Sequence, residues 1–200
     1  MSELFSIQLQ NQQQSRDGVW LDLPTTTEQV QAALRQIGIS SDNPQGLFIS
    51  GYFAEEEKRF AISYNMVLAS NVDELNFLAS RLETLSTGER AELNAALQVP
   101  QSELSSIGRI TDFPENVDYY VHLPDVHGPA QLGDYYLNRS DMVDMPEEWK
   151  GGIDTAQFGR YVAQQEQGAF TQYGYLVKSG DEWQKVHEGQ PVPEEYRGLS

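Results

Sequence analysis

Residues 112–154 read DFPENVDYYVHLPDVHGPAQLGDYYLNRSDMVDMPEEWKGGID. Ten of these 43 residues are carboxylates: Asp112, Glu115, Asp118, Asp125, Asp134, Asp141, Asp144, Glu147, Glu148 and Asp154. Arg139 and Lys150 are the only bases, so the stretch carries a formal charge of −8. A disordered acidic tail lacks aromatics because it buries nothing. This stretch has Tyr119, Tyr120, Tyr135, Tyr136 and Trp149 spread among Leu132, Leu137, Met142 and Met145. It can therefore fold, and its carboxylates, spaced mostly singly, become a fixed array of negative charge. Pro124 disfavours helix just before it, which predicts an extended segment over Val117–Leu123. Gln131–Asn138 and Asp154–Glu166 read as helices and Phe170–Val177 as a strand, which makes this region a small α+β domain.

Towards the N-terminus, Leu4–Leu9 and Val19–Leu23 alternate as half-buried strands, and Gly46–Phe53 reads as a third. Thr25 and Glu28 fit a capping box, followed by Val30, Ala33, Leu34 and Ile37 at helical spacing and by Gly38 in the position of a C′ glycine. Asn71 with Glu74, and Ser86 with Glu89, open two further helices, and Gln101–Ile107 is expected to hold a short one. The expectation is an elongated α+β chain of three small domains with a tail. Residues 1–65 form a small antiparallel sheet with a helix, 66–110 a helical middle, 111–183 the acidic α+β domain, and 184–200 a loosely held tail.

The chain has 200 residues, 30 Asp and Glu against 13 Lys and Arg, and a net charge of −17. Such a chain repels nucleic acid and anionic membrane and attracts basic surfaces, so neither direct nucleic-acid binding nor membrane binding is expected. There is no cysteine, hence no disulfide and no thiolate chemistry. The opening MSELFSIQLQNQQQSR lacks a basic n-region and an apolar h-region, and a cytoplasmic protein is expected.

Few residues suggest catalysis. Gly151-Gly152 lacks the setting and the lysine of a phosphate loop. His122, Asp125 and His127 form the only cluster resembling metal ligands, but their spacing matches no standard zinc pattern and Pro124 and Gly128 mark a turn, so no metal or cofactor is expected. Adjacent acids such as Glu147-Glu148 could serve a hydrolase, yet pairs are expected by chance among 30 carboxylates. The tyrosines lack the basic groove that accompanies base-stacking platforms, so Tyr119, Tyr120, Tyr135 and Tyr136 are expected in the core and at a dimer contact.

An acidic array can itself be a ligand. Duplex DNA carries one charge per about 1.7 Å of axis, so thirty carboxylates at that density cover roughly 50 Å. A compact globule of this length spans only about 43 Å. Displaying a DNA-like array therefore requires small domains in a row, or a pair of chains.

Several motifs, taken in order, resemble the ArdA antirestriction family. They are Gly18-Val19-Trp20-Leu21-Asp22-Leu23-Pro24, Asp73-Glu74-Leu75-Asn76 with Leu78-Ala79, Asn116-Val117-Asp118-Tyr119, and Pro124-Asp125-Val126. Leu132-Gly133-Asp134-Tyr135-Tyr136, Ile153-Asp154, Phe158-Gly159-Arg160, and Gly168 with Gly174-Tyr175 follow. The resemblance implies a homodimeric, non-enzymatic mimic of bent duplex DNA, carried by conjugative plasmids and transposons. Such a protein occupies the DNA groove of Type I restriction-modification enzymes, on their specificity and methyltransferase subunits. It further implies that the ten carboxylates are the mimic's charges, and that Phe158, Gly159 and Arg160 lie in the antirestriction motif and at the dimer contact. Gly51 departs from the family pattern where an acidic residue is expected, and Tyr161–Gln165 replaces an Asp-rich run. The reading from another class is an acidic module for a different basic DNA-binding protein, and a carboxylate hydrolase is a third.

Overall fold

The structure, a computed structural model, describes residues 3–13, 17–100 and 102–199. In chain order its elements are β1 (Phe5–Asn11), β2 (Val19–Leu23), α1 (Thr27–Gln36), β3 (Leu47–Phe53), α2 (Tyr64–Leu68), α3 (Val72–Glu83), α4 (Thr87–Gln98) and α5 (Ile107–Thr111). After these come β4 (Tyr120–Leu123), α6 (Pro129–Asp134), α7 (Glu147–Lys150), α8 (Thr155–Glu166), β5 (Ala169–Thr171) and β6 (Gly174–Lys178). The fold is α+β, with two three-stranded antiparallel sheets, β2-β1-β3 and β4-β6-β5. The chain divides into two compact units: Met1–Ser86 with Glu103–Asn116 and Gln184–Ser200, and Thr87–Ser102 with Val117–Trp183. The helical stretch set off in the sequence as a middle domain is shared between them, with α3 and α5 in the first unit and α4 in the second.

In the first unit, strand alternation turns Phe5, Ile7 and Leu9 of β1 and Leu21 and Leu23 of β2 inward, all buried, with α1 and α3 packed against β2. The capping box lies one residue later than the spacing predicts: Thr26 accepts the Gln29 N–H, and Gln29 Oε1 accepts the Thr26 N–H. Thr25 is committed elsewhere. Its N–H donates to Asn76 Oδ1 at 2.7 Å and its carbonyl accepts from Asn76 Nδ2 at 3.0 Å, which leaves the next threonine to open the helix. Gly38 closes α1 at φ +73°, with Ile39 N–H to Leu34 O and Gly38 N–H to Arg35 O, the paired bonds of a Schellman end. Asn71 caps α3 as its spacing to Glu74 predicts.

Three sequence expectations are corrected. The short helix expected over Gln101–Ile107 begins at Ile107 instead, because Ser106 takes the cap by accepting the Arg109 N–H; Gln101 itself lies outside the described residues. The single strand expected over Phe170–Val177 is the hairpin β5–β6, turned at Gln172-Tyr173, with Gly174 at φ +118°. Residues beyond Trp183 are not loosely held. Asp73 accepts the Gly198 N–H at 2.8 Å, Asn76 Nδ2 donates to Tyr196 O at 3.1 Å, and the Phe77 ring lies against Tyr196 and His187. Burial raises the Asp73 pKa, against the lowering effect of the Gly198 and Leu199 N–H groups.

Candidate functional site

The second unit carries eight of the ten carboxylates singled out in the sequence. Asp118 precedes β4 and Asp125 follows it. Asp134 ends α6, Asp141 and Asp144 lie in the next loop, Glu147 and Glu148 open α7, and Asp154 caps α8 by accepting the Gln157 N–H at 2.9 Å. Asp134 is half-exposed and the other seven are exposed. Arg139 pairs with Asp134 at 3.0 Å and Lys150 with Glu147 at 2.9 Å. Pairs of this exposure contribute at most about 1 kcal/mol and neutralise only locally. Asp118, Asp125, Asp141, Asp144, Glu148 and Asp154 have no cationic partner among the described residues.

The remaining two of the ten belong to the first unit, and one of them is not on the surface. Asp112 is fully buried; its carboxylate accepts the backbone N–H groups of His187 (2.6 Å) and Glu188 (3.3 Å). Ordering of the last residues turned an apparently surface acid into an internal anchor, so Asp112 displays no charge to a partner. Glu115 forms an ion pair with Arg81.

Beneath the acidic surface, α6 and α8 cross with their backbones in contact. A Cβ on Gly159 would lie 1.8 Å from Pro129 O and 2.8 Å from Gly133 N, and one on Gly133 would lie 1.9 Å from Thr155 O. Gly159 is thus buried inside the unit and is not itself a contact surface, while Phe158 is half-buried and Arg160 exposed. The core under this crossing is Val126, Leu132 and Tyr175, with Tyr135, Tyr136, Val162 and Phe170 against it. Tyr119 and Tyr120 are buried, as expected of core residues, and their rings meet edge to face. Glu166, which the sequence did not single out, accepts from the hydroxyls of both Tyr136 and Tyr175. Burial first, and then the Glu166 carboxylate, push both phenols far above the usual tyrosine range. Gly168 is required for this, since a Cβ there would lie 1.9 Å from the Tyr175 hydroxyl.

The acids and histidines weighed for catalysis are not brought into one site. His122 Nε2 donates to Tyr173 O at 2.7 Å, and His127 is exposed. No group of three or more His, Asp or Glu among the described residues is placed to hold a metal ion. An open cleft of about 670 Å³ in the first unit is lined by Met66, Phe77, Ile107, His187 and Pro191, with Glu74 as the single carboxylate, so it offers no pair of carboxylates. Glu92 on α4 is the acid most shifted in pKa: burial, with Glu89 and Asp118 adding to it, raises it to about 8, and its Oε1 is buried without a hydrogen-bond partner. None of the described clefts is lined by it. No helix among the described residues is long and apolar enough to cross a membrane.

Residues 13–177 match the protein family described as Antirestriction protein (ArdA). No curated protein matches the chain.

Proposed function

Because the chain belongs to the ArdA antirestriction family, we propose that it acts as an acidic mimic of duplex DNA, occupying the DNA groove of a Type I restriction-modification enzyme on its specificity and methyltransferase subunits. Membership in the family implies antirestriction and an interaction with restriction enzymes; the mechanism and the target are our reading. The observation that carries it is the set of eight carboxylates that the second unit holds at its surface, six of them without a cationic partner among the described residues. A groove built to exchange counterions for phosphates receives such carboxylates in the phosphates' place. Holding like charges on a folded surface costs stability through self-repulsion, a cost offset when a basic groove is the partner. The protein works without a cofactor or catalytic step, as a homodimer in which Phe158 and Arg160 lie at the contact between copies.

The test is displacement of labelled duplex DNA from a purified Type I methyltransferase. Displacement at low salt that weakens steeply at higher salt supports the reading, because screening and counterion release govern both ligands. Failure to displace DNA at low salt, with binding retained to some other basic DNA-binding protein, favours the alternative of a general acidic interaction module.

A further inference from the structure

The outer face of the first sheet carries an exposed aromatic on each of its two edge strands, β2 and β3. Strand register places Asp22, Ser6 and Phe53 in one outward row, Trp20, Gln8 and Gly51 in the next, and Gln10 beside Phe48 in a third. Trp20 is 50% exposed and Phe53 54%. The Trp20 ring reaches across Gln8 onto Gly51: its Cη2 lies 3.0 Å from where a Cβ on Gly51 would stand. Glycine at this position lets an indole lie against the sheet with its outer side free. Large aromatics left half-exposed on a sheet face are characteristic of contact surfaces.

Two exposed acids, Glu3 and Asp22, stand at one end of this face. Ser6 Oγ lies 2.9 Å from Asp22 Oδ1 and 3.3 Å from Glu3 Oε1, and its single proton serves one carboxylate at a time. Neither acid has a cationic partner among the described residues. Two carboxylates are thus held about one hydroxyl, in the outward row next to that of an exposed indole. A second copy of this face would bring like charges together. A guanidinium, planar and weakly hydrated, stacks on an indole and donates in a fork to carboxylates, which an ammonium does less well.

We propose that the outer face of the β2-β1-β3 sheet docks a protein partner through an arginine side chain, stacked on Trp20 and paired with Asp22 and Glu3. The inference stands apart from the proposed antirestriction mechanism, since it concerns the first unit and does not require the partner to be a restriction enzyme.

The experiment titrates the full-length chain with N-acetyl-octaarginine amide and, in parallel, N-acetyl-octalysine amide. The Trp20 indole N–H signal is followed by NMR, assigned by its loss in Trp20→Leu. Octaarginine is expected to shift that signal, and Trp20→Leu to weaken octaarginine binding about fivefold while leaving octalysine binding nearly unchanged. Asp22→Asn, which removes charge without truncating an aromatic, is expected to weaken octaarginine binding as well, with thermal melts confirming that both variants fold. A Trp20 signal unmoved at saturating octaarginine, or equal affinity of both peptides for wild type and Trp20→Leu, overturns the proposal and assigns peptide binding to acidic surface elsewhere. Displacement of DNA from a methyltransferase is read separately, so failure of either reading leaves the other standing.

Discussion

The carboxylate of Asp112 accepts the backbone N–H of His187 at 2.6 Å across 75 residues of chain. Around it, Asn116 exchanges hydrogen bonds with Gln184 in both directions, and Arg109 holds Glu188 at 3.0 Å. Asp112→Ala strands two partly buried N–H groups and is expected to cost about 2–3 kcal/mol. Deleting residues after Trp183 also removes the backbone partners of Asp73 and one of the three hydrogen bonds of Asn76, and should lower the melting temperature by about 10 °C or more. Thermal melts of the two variants check this; a truncated chain melting like wild type would mean the segment is merely draped on the surface.

Gly159 has no room for a side chain. Gly159→Ala forces α6 and α8 apart and is expected to destabilise the second unit by about 3 kcal/mol. Arg160→Ala, one residue on and exposed, should leave the melting temperature within about 1 °C, since surface substitutions lie within roughly ±0.5 kcal/mol. Its effect is expected in self-association, measured by sedimentation equilibrium. Loss of inhibition in Gly159→Ala would then report loss of folding.

Glu92 gives the stability a pH dependence of known sign. Its folded pKa is raised to about 8, so the folded chain keeps the proton while the unfolded chain releases it near the ordinary glutamate value. Below that ordinary value the two states bind the proton equally. Stability falls as pH rises from about 4.5 towards 8 and then levels off. Glu92→Gln removes this loss: it should melt higher than wild type at pH 8 and show no comparable gain at pH 4.5. Parallel melts at the two pH values decide it, and an identical difference at both would remove Glu92 as the cause.

Neutralising one surface acid should change little. Asp134 already faces Arg139, and Asp134→Asn is expected to leave inhibition within about twofold, the scale of an exposed pair. The combined variant Asp141→Asn, Asp144→Asn, Glu147→Gln, Glu148→Gln removes four charges at once. It should raise the concentration needed to displace DNA at least tenfold and flatten the salt dependence. Complete loss from the single change would point to a specific site in place of a distributed array.

Much of the fold was legible from periodicity, because β1, β2, α1 and α3 each bury one face against a core within reach of their own chain. Asn71 and Gly38 were found because caps leave a spacing rule in the sequence. Gly133, Gly159 and Gly168 stand in the ordered motifs, but nothing in the sequence marked them as points of backbone approach, because that depends on which segments cross. What failed depended on distant partners. Thr25 looked like a cap until Asn76, 51 residues away, claimed its backbone. Asp112 looked like surface charge until the C-terminal residues closed over it. Glu92 and Glu166 resemble any other helical acid in sequence, since burial and hydroxyl partners carry no local pattern.

The assignment of Thr87–Ser102 to one unit and Glu103–Asn116 to the other has a practical result for anyone dissecting this protein. The polypeptide passes between the units at four places, so no single cut liberates either as an uninterrupted fragment. Both chain ends belong to the first unit, so truncation from either end reports on that unit before it reaches the second, and point substitutions are the cleaner instrument for the second.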